Sequence, residues 1–164
     1  MALDPRIRDI GPVETTRLFD MVVDLAPPLH VGVGPLGRRI VFHAGGGSFE
    51  GPLLRGEVLA SGGDWALVRA DGSTAIDVRL TLRTHDGALI SMTYGGRYTS
   101  PAELSTQLTD RRTRHTVDPK NYYFRSNPLF ETGAAAYAWL NDVVCVGSGY
   151  FVEGGIAYRV AKVV

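Results

Sequence analysis

The stretch "STAIDVRLTLRTHDGALISMTY", residues 73–94, carries the clearest structural signal in the chain. Apolar and polar residues alternate on both sides of Asp86-Gly87, which is the pattern of two β-strands joined by a tight turn. Comparable segments and turn signals precede it, in the order 52–60, Gly62-Gly63, 64–70 and Asp71-Gly72. Asp-Gly and Gly-Gly supply the positive φ angles that two-residue hairpin turns require. We therefore predict consecutive hairpin-linked strands, which favour a β-barrel or a β-sandwich.

Strand-like alternation recurs towards both ends of the chain. It is found in "TTRLFDMVVDL" (15–25), in "RRIVFHAGGGSFEG" (38–51) and in the closing segment 143–164. We find no internal repeat and no linker, so the sequence predicts a single, mainly β domain over residues 1–164. Residues 1–12 are expected to form an extended N-terminal segment.

Two short helices are predicted between the strands. Ser100 precedes Pro101 and Glu103, which is the pattern of a helix N-terminus closed by a capping box. The segment "AAAYAWLN", residues 134–141, is typical of a second short helix.

Composition excludes several classes of function. Seventeen basic residues balance seventeen acidic ones, so the bulk charge favours neither nucleic acid nor an anionic membrane. No apolar run approaches membrane-spanning length and the N-terminus lacks the pattern of a signal peptide, so we expect a cytoplasmic protein. The single Cys145 excludes an internal disulfide. Exposed strand edges must be paired or covered, so we also expect a homo-oligomer, dimer or larger.

The register of the predicted hairpins divides the sheet into two faces. With two-residue turns, Arg79 lies opposite Asp64 on one side and opposite Tyr94 on the other. The same face carries Glu57, Asp77 and Met92. Apolar residues beside a few convergent charges are typical of a small-molecule pocket, so we expect this face to line the barrel lumen. The alternative is an ordinary wet face whose charges form surface ion pairs of little energetic value.

The candidate catalytic residues are Asp77, Glu57, Arg79 and Tyr94. A carboxylate in a partly apolar barrel has a raised pKa, which suits Asp77 or Glu57 to moving a proton. Arg79 and Tyr94 would stabilise the negative charge that develops. The candidate ligand-binding residues are Asp64, Trp65, Met92, Tyr123, Phe124, Glu131 and Trp139. The aromatic members of this set form either the mouth of the pocket or a plug that closes one end of the barrel.

Metal and cofactor sites are not expected. The histidines lie in four different segments without the spacing of helix-borne ligands. The glycine cluster in "AGGGSFEG" lacks the Lys-Ser/Thr ending of a phosphate-binding loop and precedes a strand.

The chain also resembles a known family. The segments "GGGSFEGPLLRGEVLASGGDWALVRADGSTAIDVRLTLRTHDGALI", "YYFRSNPLFETGAAAYAWLN" and "VGSGYFVEGGIAYRV" are similar to the uncharacterised family catalogued as domain of unknown function 3237. This resemblance implies a compact antiparallel β-barrel of calycin or allene-oxide-cyclase-like shape, often oligomeric. It implies no established activity and no catalytic residues.

The sequence leaves three functional hypotheses open. The first is a β-barrel that binds a hydrophobic or aromatic small molecule in its lumen and acts on it as a cofactor-independent isomerase, cyclase or lyase. The second is a non-catalytic carrier or sensor that uses the same pocket. The third is a structural oligomer without a ligand.

Overall fold

The protein is a closed antiparallel β-barrel, described over residues 4–164 by a computed structural model. Its strands are β1 (Thr15–Leu25), β2 (Leu29–Gly34), β3 (Gly37–Glu50), β4 (Arg55–Val68), β5 (Thr74–Thr84), β6 (Leu89–Thr99), β7 (Tyr123–Ser126), β8 (Leu129–Glu131), β9 (Cys145–Val152) and β10 (Gly155–Val163). The helical pieces are α1 (Ser105–Thr109) and 3₁₀ helices at Ala102–Leu104, Arg114–Thr116, Pro119–Asn121 and Ala135–Asp142. The predicted fold class is confirmed.

The barrel closes because β1 pairs with strands from opposite ends of the chain. Neighbouring strands follow the order β1-β10-β9-β7-β6-β5-β4-β3, and β1 also pairs with β3. β8 pairs with β6 beyond the end of β7, so these two short strands share one position in an eight-position barrel. Closure leaves β2 paired on one side only, with β3.

Both Asp-Gly turns contain three residues instead of the predicted two. At the β5–β6 turn, the Thr84 N–H donates to the Ala88 carbonyl at 2.9 Å, and Gly87 has φ +91°. The β4–β5 turn repeats this geometry, with the Arg69 N–H donating to the Ser73 carbonyl at 2.8 Å. A three-residue loop that ends on a left-handed glycine shifts every strand pair by one residue relative to a two-residue turn.

This shift reverses the predicted face of β5, whereas Asp64, Met92 and Tyr94 keep the inward orientation predicted for them. Tyr94 lies opposite Val78, not Arg79, and Asp64 also lies opposite Val78. The buried, inward face of β5 therefore consists of Ile76, Val78, Leu80 and Leu82. Asp77 and Arg79 project outwards, so the prediction that their face lines the lumen is wrong.

Gly62-Gly63 is not a turn. It lies inside the continuous strand β4, which carries a β-bulge between Val58 and Gly62. The predicted separate strands 52–60 and 64–70 are thus one strand. Gly62 takes φ +86°, and a Cβ there would lie 2.1 Å from the Arg79 carbonyl oxygen. Only glycine fits this close approach of two backbones.

The two ends of the barrel are covered differently. At the end where β1 begins, the 3₁₀ helix Ala135–Asp142 packs Leu140 into the core. The Phe19 ring lies there against the rings of Phe49 and Phe130, with centroid distances of 5.3 and 5.9 Å. The segment 100–122 links β6 to β7 at the opposite end, where β1 finishes. Arg111 fastens it there by donating to the Leu25 carbonyl at 2.9 Å.

Details of the two predicted helices differ from expectation. The first helical segment begins after Pro101 with no side-chain cap hydrogen bond, so the capping box of Ser100 and Glu103 does not form.

Residues 4–14 precede β1, and residues 1–3 of the predicted extended segment 1–12 lie outside the described residues. Among residues 4–164, no helix is long and apolar enough to cross a membrane.

The β2–β3 hairpin presents apolar side chains to solvent. Val31 and Val33 are 69 % and 85 % exposed, and Leu36 at the hairpin turn is 73 % exposed. An unpaired apolar edge of this kind invites pairing with another chain. The homo-oligomer stays a prediction.

Replacing Gly62 by alanine should destabilise the barrel more than replacing Gly72 does. Both residues have positive φ, but a Cβ at Gly72 meets no atom within 4 Å. We expect Gly72→Ala to lower the free energy of unfolding by about 1 kcal/mol and Gly62→Ala by on the order of 3 kcal/mol. Urea denaturation of both variants measures the difference. Equal losses would contradict the backbone collision at the bulge.

Candidate functional site

A small cavity lies inside the barrel, towards the end where β1 finishes. Its volume is about 20 Å³, room for about one water molecule. Its lining is formed by Val23, Leu25, Phe42, Gly63, Asp64, Val78, Leu80, Tyr94, Ile156 and Tyr158. Leu25, Phe42, Asp64 and Ile156 are only partly buried, so they form the mouth. An apolar wall with a few polar groups is the usual composition of a small-molecule site.

Asp64 is the acidic residue of this cavity. The β4 bulge and the shifted register turn its side chain inwards, opposite Phe42 of β3 and Val78 of β5. Its carboxylate accepts a hydrogen bond of 3.0 Å from the Asp77 backbone N–H. Burial raises the pKa of the Asp64 carboxyl to about 7, although that N–H and the Arg39 charge oppose the rise. The side chain is therefore half ionised near neutral pH.

Two tyrosine hydroxyls accompany this carboxyl group. Tyr94 on β6 and Tyr158 on β10 are 5 % and 3 % exposed, and their rings meet edge to face with centroids 5.4 Å apart. Burial is the main cause that raises the pKa of both hydroxyls above the ordinary tyrosine value, and the Asp64 charge raises both further. Both tyrosines therefore stay neutral at physiological pH and can donate hydrogen bonds.

The arrangement combines a base with proton donors in an apolar surrounding. A carboxylate with a pKa near the working pH is suited to remove a proton and return it. Neutral hydroxyls fixed beside it can stabilise an oxyanion without reorganising. The site can thus support proton transfer at a carbon next to a carbonyl group.

Three of the four predicted catalytic residues lie on the outside of the barrel. Asp77 and Arg79 form an exposed ion pair of 3.1 Å, with side chains 55 % and 64 % exposed. Glu57 is 53 % exposed and pairs with Arg83 at 2.7 Å. Such exposed pairs contribute little to stability. Tyr94 is the predicted catalytic residue that lines the cavity.

The predicted ligand-binding residues are scattered. Asp64 lines the cavity, and the Phe124 ring lies one contact away, 5.5 Å from the Tyr158 ring. The others lie apart from the cavity lining: Met92 is buried deeper in the core, Trp65 projects from β4 on the side opposite Asp64, Tyr123 and Glu131 are exposed, and Trp139 lies on the 3₁₀ helix at the far end. The predicted aromatic mouth is thus not formed by this set.

Sequence reasoning missed Tyr158 and underrated Asp64. The alternation of Ile156, Tyr158 and Val160 in "IAYRVAKVV" does indicate that Tyr158 shares a face with apolar residues, because strand side chains alternate. Asp64 belongs to the face that the sequence predicts to line the lumen, but two-residue turns pair it with Arg79, whereas the structure pairs it with Val78.

The stability of the protein should fall as pH rises through the titration of Asp64. The pKa is about 7 in the folded protein and about 3.9 when unfolded, so between these values only the folded state holds the proton. Asp64→Asn cannot ionise. We expect its free energy of unfolding relative to wild type to rise by about 2–3 kcal/mol between pH 5 and pH 8.5.

Urea titrations at the two pH values measure this change, with Glu57→Gln as the exposed control. An Asp64→Asn effect that is independent of pH would contradict the burial of the carboxyl group.

Comparison with solved structures places this barrel among proteins of similar fold. A β-barrel-like protein of Acinetobacter baumannii superposes with a TM-score of 0.82 at 37% identity, covering 95% of this chain and 99% of that one. A Rhodopseudomonas palustris protein of unknown function reaches a TM-score of 0.87 at 28% identity, covering 94% and 99%. An enzyme of Penicillium herquei has a TM-score of 0.68 at 19% identity over the full length of both chains, which is a likeness of fold alone.

Comparison of sequences gives the family. A UPF0311 protein of Rhodopseudomonas palustris is 31% identical over 136 residues, which cover 83% of this chain and 87% of that protein. A UPF0311 protein of Clostridium acetobutylicum is 30% identical over 141 residues, covering 85% and 87%. The family described as protein of unknown function DUF3237 matches residues 13–163. The chain therefore belongs to the DUF3237 family.

Proposed function

We propose that this protein is a cofactor-independent acid–base enzyme, an isomerase, cyclase or lyase, that acts on a hydrophobic or aromatic oxygenated small molecule. The observation that carries the proposal is the Asp64 carboxyl group, whose pKa burial raises to about 7 beside two buried tyrosines. The apolar wall of the cavity favours a hydrophobic ligand. That the related barrel of Penicillium herquei is described as an enzyme is compatible with this proposal.

The proposed step is a proton transfer through Asp64. The ionised carboxylate removes a proton from the carbon next to a carbonyl group, and the C–H electron pair forms an enolate. The Tyr94 hydroxyl donates a hydrogen bond to the enolate oxygen and itself accepts one from the Tyr158 hydroxyl. The protonated Asp64 then returns the proton at another carbon for an isomerisation, or to a leaving group for a lyase reaction.

The size of the cavity limits how a substrate binds. A volume of about 20 Å³ holds a single water-sized group. In this proposal the reacting carbonyl enters beside Asp64, and the rest of the molecule displaces the mouth residues Leu25 and Phe42. A ligand confined entirely to the lumen would require larger movements of the wall.

The competing functions differ from this one in turnover. A carrier or sensor would bind in the same cavity without forming product. In a structural oligomer the apolar β2–β3 hairpin would matter and the cavity would not. The raised pKa of Asp64 favours the enzyme, because a purely structural cavity gains nothing from a partly buried carboxyl group that costs stability.

Wild-type protein should accelerate exchange of carbon-bound protons next to a carbonyl group. The probes are 2-tetralone and phenylacetone in D₂O, followed by the loss of their α-proton NMR signals. We expect the wild-type rate to rise with pH around a midpoint near 7, because only ionised Asp64 removes a proton. Asp64→Asn should lose at least about a hundredfold, in line with the loss of a general base.

Variants of cavity residues and of exposed residues show which of the two groups carries the proton-exchange activity. Tyr94→Phe should lower the rate about tenfold or more by removing the oxyanion donor, whereas Glu57→Gln should match wild type because its carboxylate is exposed. Asp77→Asn should stay active with a slightly lower pH midpoint, because the Asp77 charge raises the pKa of Asp64. Exchange that survives in Asp64→Asn but is lost in Asp77→Asn would overturn the assignment.

A further inference from the structure

We propose that Arg114 binds a carboxylate group of the substrate, so that the ligands of this barrel are hydrophobic or aromatic carboxylic acids. This inference rests on the proposed function, since it names the substrate class of the same site. Arg114 lies on the 3₁₀ helix Arg114–Thr116, within the segment 100–122 that links β6 to β7 beside the cavity end of the barrel.

Arg114 is a buried cation without an anionic partner. The residue is 7 % exposed, and its Nε is buried with no hydrogen-bond acceptor. None of the ion pairs formed by residues 4–164 includes Arg114. The Asp118 carboxylate, four positions along the chain, instead accepts the Lys120 backbone N–H at 2.9 Å. A buried guanidinium with unused donors is costly, and an incoming carboxylate would offset that cost.

The neighbouring Arg111 adds positive charge beside Arg114, and no carboxylate of residues 4–164 forms an ion pair with it. Burial and the neighbouring charge of Arg111 lower the pKa of the Arg114 guanidinium, which nonetheless stays protonated at neutral pH. The Phe151 ring lies under the guanidinium, with 4.8 Å between the ring centroid and Cζ. Tyr98 and Tyr122 lie close enough for their hydroxyls to interact with its charge. This combination suits an anion that carries an apolar body.

Contacts connect Arg114 to the Asp64 cavity along two routes. Phe151, under the guanidinium, lies opposite Ile156 in the β9–β10 pair, and Ile156 lines the cavity mouth. Arg111, beside Arg114, donates to the carbonyl of Leu25, which lines the mouth on its other side. Arg114 therefore stands at the rim, where it can hold one end of a substrate.

A row of aromatic rings also joins the two positions. The ring centroids of Phe151 and Phe124 are 5.9 Å apart, those of Phe124 and Tyr158 are 5.5 Å apart, and Tyr158 lies beside Tyr94 in the cavity. Phe124, Tyr158 and Tyr94 are buried, so the body of an aromatic ligand would pack on the partly exposed Phe151 and Ile156 at the rim. The planar guanidinium fork matches a carboxylate, which can accept two parallel hydrogen bonds.

The Nε–H of Arg114 provides a direct probe of anion binding. In ¹H–¹⁵N spectra of the wild-type protein, titration with benzoate should shift the Arg114 Nε–H signal, identified by its absence in Arg114→Lys. Benzamide has the same ring without the charge and should leave that signal in place. Benzoate that binds without moving the Arg114 signal, or that does not bind at all, overturns the proposal.

Variants measure the contribution to affinity. We expect benzoate binding, followed by calorimetry, to weaken at least about tenfold in Arg114→Gln. The control is Arg125→Gln, because Arg125 is an exposed guanidinium stacked over the Tyr123 ring at 5.3 Å. Arg125→Gln should bind benzoate as wild type does, and equal losses in both variants would overturn the proposal. If Arg114→Gln does not fold, the wild-type spectra still decide.

Failure of this inference is distinguishable from failure of the proposed function. Benzoate binding at Arg114 requires no proton transfer and is read from the Nε–H signal of the wild-type protein. Proton exchange of the neutral ketones requires Asp64 and not Arg114, so each readout can fail without the other.

Discussion

The length of the Asp-Gly turns is the constraint on which the rest of the structure depends. Each turn places three residues between paired strands and ends on a glycine in the left-handed region, Gly72 at φ +81° and Gly87 at φ +91°. That odd number points Val78, Leu80 and Tyr94 to the interior and leaves Asp77 and Arg79 in solvent. One residue fewer in each turn would bury the charges and expose the core.

Asp64 is an acidic side chain in the otherwise largely apolar lining of the cavity, and the backbone of β4 turns it inwards. The bulge in β4 brings Gly62 and Gly63 against the backbones of β5 and β3, where side chains have no room. The following residue then points inwards, and its carboxylate receives the Asp77 N–H. Holding the Asp64 carboxyl group in this environment lowers the free energy of unfolding near neutral pH, where the group is partly ionised. Sites of catalysis commonly show this trade.

The sequence predicts the class of fold well and the site only in part. Alternation in β1, β5, β6 and β10, together with Asp-Gly turns, is enough for an antiparallel barrel. The orientation of the faces is not recoverable, because an Asp-Gly pair serves both two-residue and three-residue turns and their registers differ by one. Gly62-Gly63 likewise supports a turn or a bulge, and only the continuous pairing of β4 with β3 decides. Asp64 and Tyr94 do line the cavity. Asp77, Glu57 and Arg79, which the sequence places on the same face, lie on the outside of the barrel. Arg114 lies in the polar, basic stretch 109–119, whose sequence predicts a loop. Its burial follows from tertiary packing and has no signal in the sequence.

The most direct test of this account is the pKa of the Asp64 carboxyl group, measured by ¹³C NMR of aspartate-labelled protein with Asp64→Asn to identify the signal. The account predicts a midpoint about 7. A midpoint about 4, the value of a solvated aspartate, would mean that the carboxylate is not held in the apolar cavity, and the proposed acid–base role would fall with it.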